Sequence, residues 1–354
     1  MRGFGIIEDT RKVVYMEWIK PQKLAAGDTV AAVSLSGGRA GDADMLARYA
    51  LGKQRLEQIF GLRVAAPTHS LKGSDFLYRN PKARADDLME ALREPCIKGI
   101  FLSMGGDDGI RLLPHIDFTV IRQNPKVFIG FSDGDTFHRM FSYAGVVSFY
   151  GANLLATLAE PGELNSYTIQ WIRKALFTSE AIGELTSCDA WTGINWNNSL
   201  QKREIPWEEN AGHVLHQGKG KVRGHIMTAC GGPLRSVMGT CLFPPPDMWE
   251  NSIICLEEME IYGSRLAAVH GMRALAAAGI FRQCGAVLLP RSDESFIRDV
   301  ILKVLHEEGL FDLPVLSGVA FGHMNPMAVL PIGVAAEIDC DLRTFTVLES
   351  GVWD

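Results

Sequence analysis

Short aliphatic and β-branched runs alternate with longer amphipathic stretches through the first half of the chain. Thr29-Val30-Ala31-Ala32-Val33 reads as a buried strand, a helical pattern follows from about Asp42 to Phe60, and Leu62-Arg63-Val64-Ala65 reads as a second strand. Asn80-Pro81 supplies an N-cap and a proline in the first helical position, for a helix that carries Leu88 and Leu92 on one face and stops at Pro95. Gly99-Ile100-Phe101-Leu102 then enters a glycine turn, with a short helix around Ile110 to Leu113 and a further strand at Lys126-Val127-Phe128-Ile129-Gly130. The segment after it places Phe137, Met140, Phe141 and Ala144 at helical spacing. Strands alternating with helices of this length predict an α/β fold, a parallel sheet with helices on both faces.

The alternation lapses from about Thr178 to Gly220, a stretch holding three of the seven tryptophans (Trp191, Trp196, Trp207) among Asn and Gly. A connection of that length is usually functional or disordered, and its aromatic content predicts an ordered linker or lid. Alternation resumes with strands at Val222 to Ile226 and Ser252 to Leu256. A helix from Gly263 to Ala278 is expected to turn Leu266, Val269, Met272 and Leu275 inward. Strand Ala286 to Leu289, a helix near Phe296 to His306, and strands at Pro314 to Val319, Val329 to Ala335 and Thr344 to Leu348 complete the chain. The expected organisation is therefore an extension at 1–18, an N-terminal α/β domain at 19–177, the Trp-bearing linker at 178–220 and a C-terminal α/β domain at 221–354.

Composition narrows the function classes. The 354 residues suffice for about two domains, and 47% hydrophobic with 21% charged is an ordinary globular mix. A formal charge of −6 with no basic patch argues against a nucleic-acid polymer as partner. No apolar run approaches the ~20 residues of a membrane helix. Seven cysteines, an odd number without a CxxC pair, read as small buried hydrophobes in a reducing compartment rather than a disulfide framework. Charged residues interrupt Met1 to Tyr15, so no signal peptide is read there and a cytoplasmic location is expected; Met16 is a plausible alternative start.

The sharpest chemical feature is Gly130-Phe131-Ser132-Asp133, where a strand ends and a helix begins. A serine on such a turn presents its hydroxyl at the carboxyl end of a parallel sheet, beside N–H groups able to bind an anion. The competing reading is that Ser132 or Asp133 only caps the helix. A nucleophilic serine needs a base and an orienting carboxylate. Among the histidines, His323 follows Gly322 at a strand end, whereas His138 reads as packing within a helix. Glu257 and Glu258 end another strand, where active-site groups collect or where a solvated acidic turn lies. His213, His216 and His225 match no zinc spacing, so no metal is expected. The turn Gly105-Gly106-Asp107-Asp108-Gly109 offers N–H groups for an oxyanion or a phosphate. Two other classes therefore stay open: a phosphotransferase using that turn, and a non-catalytic ligand-binding module.

These residues carry a resemblance. Arg84-Ala85-x-Asp87-Leu88 with the strand into Gly105-Gly106, Lys126-x-Phe128-Ile129-Gly130-Phe131-Ser132-Asp133, Ile254-Cys255-Leu256-Glu257-Glu258, and Gly322-His323-x-x-Pro326-Met327 with Leu330-Pro331-Ile332-Gly333 occur in that order. Together the chain resembles the serine LD-carboxypeptidase family, and within it the microcin C immunity peptidases, from about Trp18 onward. The resemblance implies Ser132 as nucleophile, His323 as general base, Glu257 as its orienting carboxylate, and the N–H groups of Asp133 and Gly106 as oxyanion hole. It implies an active site between the two domains, a homodimer, and amide hydrolysis without a cofactor. Gly105, Asn153, Trp191 and Trp196 are the substrate-binding candidates, the indoles as stacking platforms for an aminoacyl-nucleotide or as anchors of the linker. The alternative substrate is a cell-wall LD-peptide in recycling. Pro233, where the family commonly has Asn, and Ala152, where Pro is usual, depart from the pattern.

Overall fold

The computed structural model describes residues 18–193, 206–258, 265–291 and 295–354. Its first half runs β1 (Thr29–Val33), α1 (Leu46–Phe60), β2 (Arg63–Ala65), α2 (Ser74–Arg79), α3 (Pro81–Arg93), β3 (Ile97–Leu102), α4 (Phe118–Gln123), β4 (Val127–Gly130), α5 (Gly134–Tyr143), β5 (Ser148–Tyr150) and α6 (Ser166–Leu176). β1 to β5 form a parallel sheet in the order β5-β4-β3-β1-β2. Their residues are nearly all apolar because helices cover both faces, which removes the in-out alternation of a half-exposed sheet. Pro81 opens α3 as expected, but Asn80 does not cap it: its side-chain amide donates to the Phe76 carbonyl of the preceding helix at 2.8 Å.

The second half comprises β6 (Gly183–Glu184), β7 (Ala190–Gly193), β8 (Glu208–Glu209), β9 (Val214–Gln217), β10 (Lys221–Cys230), α7 (Gly231–Ser236), β11 (Ile253–Glu257), α8 (Arg265–Ala277), α9 (Ile280–Gln283), β12 (Ala286–Pro290), α10 (Ser295–Glu307), β13 (Val315–Val319), β14 (Met324–Asn325), β15 (Leu330–Ile332), β16 (Ala335–Asp339) and β17 (Thr344–Val347). A second sheet has the order β6-β17-β16-β10-β11-β12-β13-β9, with β10 to β13 parallel. The expected strand at Val329 to Ala335 is two strands, β15 and β16, separated at Gly333, whose φ of 87° suits glycine. β15 crosses to the first sheet and pairs antiparallel with β5, so the C-terminal segment belongs to both sheets.

The aperiodic linker contributes strands too. β6 and β9 close the two edges of the second sheet, and β7 pairs with β14 and β8. In α8, Met272 and Leu275 are buried as expected, but Leu266 is 61% exposed. It lies nine residues before Leu275, about two and a half turns at 3.6 residues per turn, and so on the opposite face. Among the described residues no helix is long and apolar enough to cross a membrane. Five of the seven free cysteines are buried, Cys96 and Cys241 being exposed.

Candidate functional site

The two sheets meet where β4 and β11 end. β4 stops at Gly130, α5 starts at Gly134, and between them Ser132 sits at φ 65°, a left-handed conformation unusual for a side chain with a Cβ. That sharp reversal is the strand-to-helix elbow expected from the sequence, and Ser132 itself is 5% exposed. The chain crosses it closely on one side: a Cβ added to Gly105 would lie 2.6 Å from Ser132 Cβ and 2.8 Å from its Oγ. Glycine at 105 is what lets the turn after β3 touch the elbow. Asn153 braces the other side, accepting from the Phe131 N–H at 3.1 Å through Oδ1.

Asp133 does not cap α5 through its side chain. Its buried carboxylate instead accepts from Ser36 Oγ at 2.5 Å, the Gly109 N–H at 2.8 Å and Thr136 Oγ1 at 2.8 Å, and burial pushes its carboxyl up from the ordinary range. The side-chain capping reading for Asp133 is thereby corrected. Among the described residues no acceptor takes the backbone N–H of Asp133, Gly105 or Gly106. The carboxylate of Asp108 in the same turn is committed to Arg84, at 2.7 and 2.9 Å, and to Arg111 at 2.9 Å. Burial opposes its charge, and the two guanidiniums still hold its carboxyl below the ordinary range. A cavity of about 270 Å³ opens beside this turn, lined by Gly37, Gly38, Ser74, Tyr78 and Asp108 among others.

Glu257 ends β11 and is 3% exposed, and Glu258 is 7% exposed, so neither belongs to a solvated turn. Glu258 pairs with Arg235. Glu257 Oε2 accepts both the His323 backbone N–H at 3.0 Å and its Nδ1 at 3.1 Å, fixing the ring through two bonds from one residue. Burial alone would raise the Glu257 carboxyl, and the bonds from His323 and Tyr150 bring it below the ordinary value. The His323 ring stands edge-on to Phe131, centroids 5.0 Å apart, which sets it against the residue preceding Ser132. Tyr150 was not anticipated from the sequence: its O–H donates to Glu257 Oε1, and its oxygen accepts the Ser132 N–H at 3.3 Å. A tyrosine at the end of an apolar strand carries no signal beyond packing.

The elbow helix is also tied to the second sheet. Asp135 and Arg139, both buried, form an ion pair at 3.2 Å, and Asp135 accepts from Thr228 Oγ1 at 2.5 Å and the Cys230 N–H at 3.3 Å. Cys230 is the register partner of Glu257. His138 packs as expected and does more: Nε2 donates to the Gly130 carbonyl at 2.9 Å and Nδ1 accepts from Ser148 at 2.9 Å. Burial pushes its pKa down to about 4, so the ring is neutral.

Other expectations fare differently. Asn153 is fully buried against Phe131, so it faces the elbow rather than an open substrate surface. Trp191 is 3% exposed, packed with Cys188, Ala320 and Met324, and Arg291 lies over its ring at 5.4 Å. Of its two readings this geometry matches the anchor, because its face is already covered. Trp196 lies outside the described residues. His213, His216 and His225 are bonded to different groups, the Arg343 carbonyl, Ser317 and the Met248 carbonyl. Among the described residues no three His, Cys, Asp or Glu side chains are grouped to hold a metal.

Comparison with known proteins bears on this arrangement. Residues 30–151 match the LD-carboxypeptidase N-terminal domain and residues 223–338 the LD-carboxypeptidase C-terminal domain. The microcin C7 self-immunity protein MccF of Escherichia coli is 27% identical over 292 residues, covering 79% of this chain and 82% of that protein. The crystal structure of an MccF-like protein from Streptococcus pneumoniae in complex with AMP superposes with a TM-score of 0.81 at 28% identity, over 91% of this chain and 98% of that one. MccF in complex with aspartyl sulfamoyl adenosine gives a TM-score of 0.81 at 25% identity, over 95% of this chain and 100% of that one.

Proposed function

Starting from the fact that this chain belongs to the LD-carboxypeptidase family, we propose that it hydrolyses an amide bond through an acyl-enzyme on Ser132. His323 takes the Ser132 proton as the hydroxyl attacks the carbonyl carbon, and returns it to the leaving nitrogen. Glu257 holds the imidazole by Nδ1 and stabilises the imidazolium that forms. The oxyanion is received by the backbone N–H groups of Asp133 and Gly106. Water then resolves the ester by the same base. The observation that carries this reading is the pair of hydrogen bonds from His323 to Glu257 Oε2, with the ring against Phe131 at a left-handed serine.

The favoured substrate is an aminoacyl-nucleotide of the processed microcin C type. The support is the likeness to MccF, which was solved with aspartyl sulfamoyl adenosine, and to an MccF-like protein solved with AMP. With Trp191 covered, the base platform falls to other residues. The second reading, removal of the terminal residue from a cell-wall LD-peptide, is favoured by the family description itself. The phosphotransferase reading loses its attraction because the Asp108 carboxylate is already held by two arginines. A homodimer in the cytoplasm belongs to the same proposal, and sedimentation velocity tests the dimer. The deciding experiment offers purified protein an aminoacyl-sulfamoyl-adenosine and an LD-tetrapeptide and identifies products by mass spectrometry. Release of the amino acid from the nucleotide supports the first reading, cleavage of the peptide alone supports the second, and cleavage of neither removes both.

A further inference from the structure

The phenol of Tyr150 lies between the two halves of the site. Tyr150 is the last residue of β5 in the first sheet, register partner of Gly130, and is 1% exposed. Glu257 is the last residue of β11 in the second sheet. One hydroxyl therefore reaches from the nucleophile elbow to the carboxylate across 107 residues of sequence, accepting from the Ser132 N–H and donating to Glu257 Oε1.

We propose that Tyr150 is a positioning residue for the hydrolysis, fixing the rotation of the Glu257 carboxylate and the backbone of Ser132 through the same oxygen. This rests on the serine-hydrolase reading above. The carboxylate has two oxygens, and His323 occupies Oε2 with two N–H groups. Oε1 is buried with it and needs a donor of its own; without one the carboxylate is partly unsatisfied and free to turn away from Nδ1. A backbone hydrogen bond at Ser132 likewise holds the one elbow residue with a positive φ in a conformation it would otherwise leave. Burial pushes the Tyr150 phenol well above its ordinary value, with the Glu257 charge adding to it, so the phenol keeps its proton and acts as donor throughout the working range. The other titratable groups packed around the pair are Asp135 on α5, ion-paired with Arg139, His138 on the same helix with its ring centroid 5.6 Å from that of Tyr150 and its pKa pushed down by burial, Cys230 on β10, and Glu258 beside Glu257.

The test is Tyr150→Phe, assayed as kcat and KM across pH on whichever of the aminoacyl-sulfamoyl-adenosine and the LD-tetrapeptide the wild-type protein cleaves. Loss of a hydrogen bond to a charged group predicts a kcat lower by roughly tenfold or more with KM changed less than about twofold. A carboxylate deprived of the phenol donor holds the imidazolium proton more tightly, so the acid limb of the kcat/KM profile moves to higher pH, by about half a unit. A residue that only fills space would scale the profile without moving its midpoint, and an unmoved midpoint overturns the assignment. Should the phenylalanine variant fail to fold, 3-fluorotyrosine placed at 150 strengthens the donor and must move the midpoint the opposite way, to lower pH; no movement there overturns it equally. Ser132→Ala run alongside separates the two claims. If it keeps wild-type activity, or if the wild type cleaves neither substrate, the serine-hydrolase reading falls and Tyr150 with it. If it is inactive while the Tyr150 variants leave the midpoint in place, only the Tyr150 assignment falls.

Discussion

Ser132 holds a left-handed conformation that costs a residue with a Cβ roughly 1–2 kcal/mol, a strain that the surrounding packing has to sustain. Ser132→Gly removes both the hydroxyl and the strain. We expect it to lose turnover while melting at or above the wild-type temperature, whereas Ser132→Ala keeps the strain and melts close to wild type; a destabilised glycine variant in a thermal melt would contradict the strained-elbow account. His138 gives a second residue-scale expectation. The unfolded chain binds a proton on this histidine below its ordinary pKa of 6.5, while the folded protein does so only near 4. Stability present above pH 6.5 is therefore lost as pH falls toward 4, on the order of 2 kcal/mol by pH 5 at about 1.4 kcal/mol per unit. In His138→Gln the difference in unfolding free energy between pH 7 and pH 5, measured by urea titration, should shrink by that amount. An unchanged difference would mean that His138 is not buried neutral.

At the scale of elements, legibility followed burial. The parallel strands β1, β3, β4, β11, β12 and β13 were readable because both their faces are covered and their sequences run almost wholly apolar. β6, β7, β8 and β14 have two to four residues and exist through pairing with distant partners, so no local pattern could announce them. The same explains Trp191, whose surroundings in sequence are loop formers but which packs with Ala320 and Met324 far along the chain. Its burial reverses what an open stacking platform would predict. Trp191→Ala should cost stability by about 3–5 kcal/mol, the usual range for deleting a buried aromatic, and a melting curve reads this directly. A variant that melts like wild type and only raises KM would return the indole to the substrate surface.

Over the whole molecule, the candidate site depends on how the two sheets are joined. The elbow lies on the first and Glu257 on the second. β15 crosses between the sheets, and Asp135 ties the elbow helix to Cys230, the strand neighbour of Glu257. Ser132, Glu257 and His323 could be singled out in the sequence because each stands at a strand end among glycines or carboxylates. Tyr150 and Asp135 could not, and Asn153 was singled out for substrate rather than for its bond to Phe131, because these contacts are made only once the chain has folded. The central claim is that Ser132 and His323 work as one unit, and the kinetics of Ser132→Ala, His323→Ala and the double variant on the cleaved substrate test it most directly. We predict that each single variant loses turnover on the order of 10⁴-fold and that the double is little worse than either. Losses that multiply in the double variant, or wild-type turnover in either single one, would contradict it.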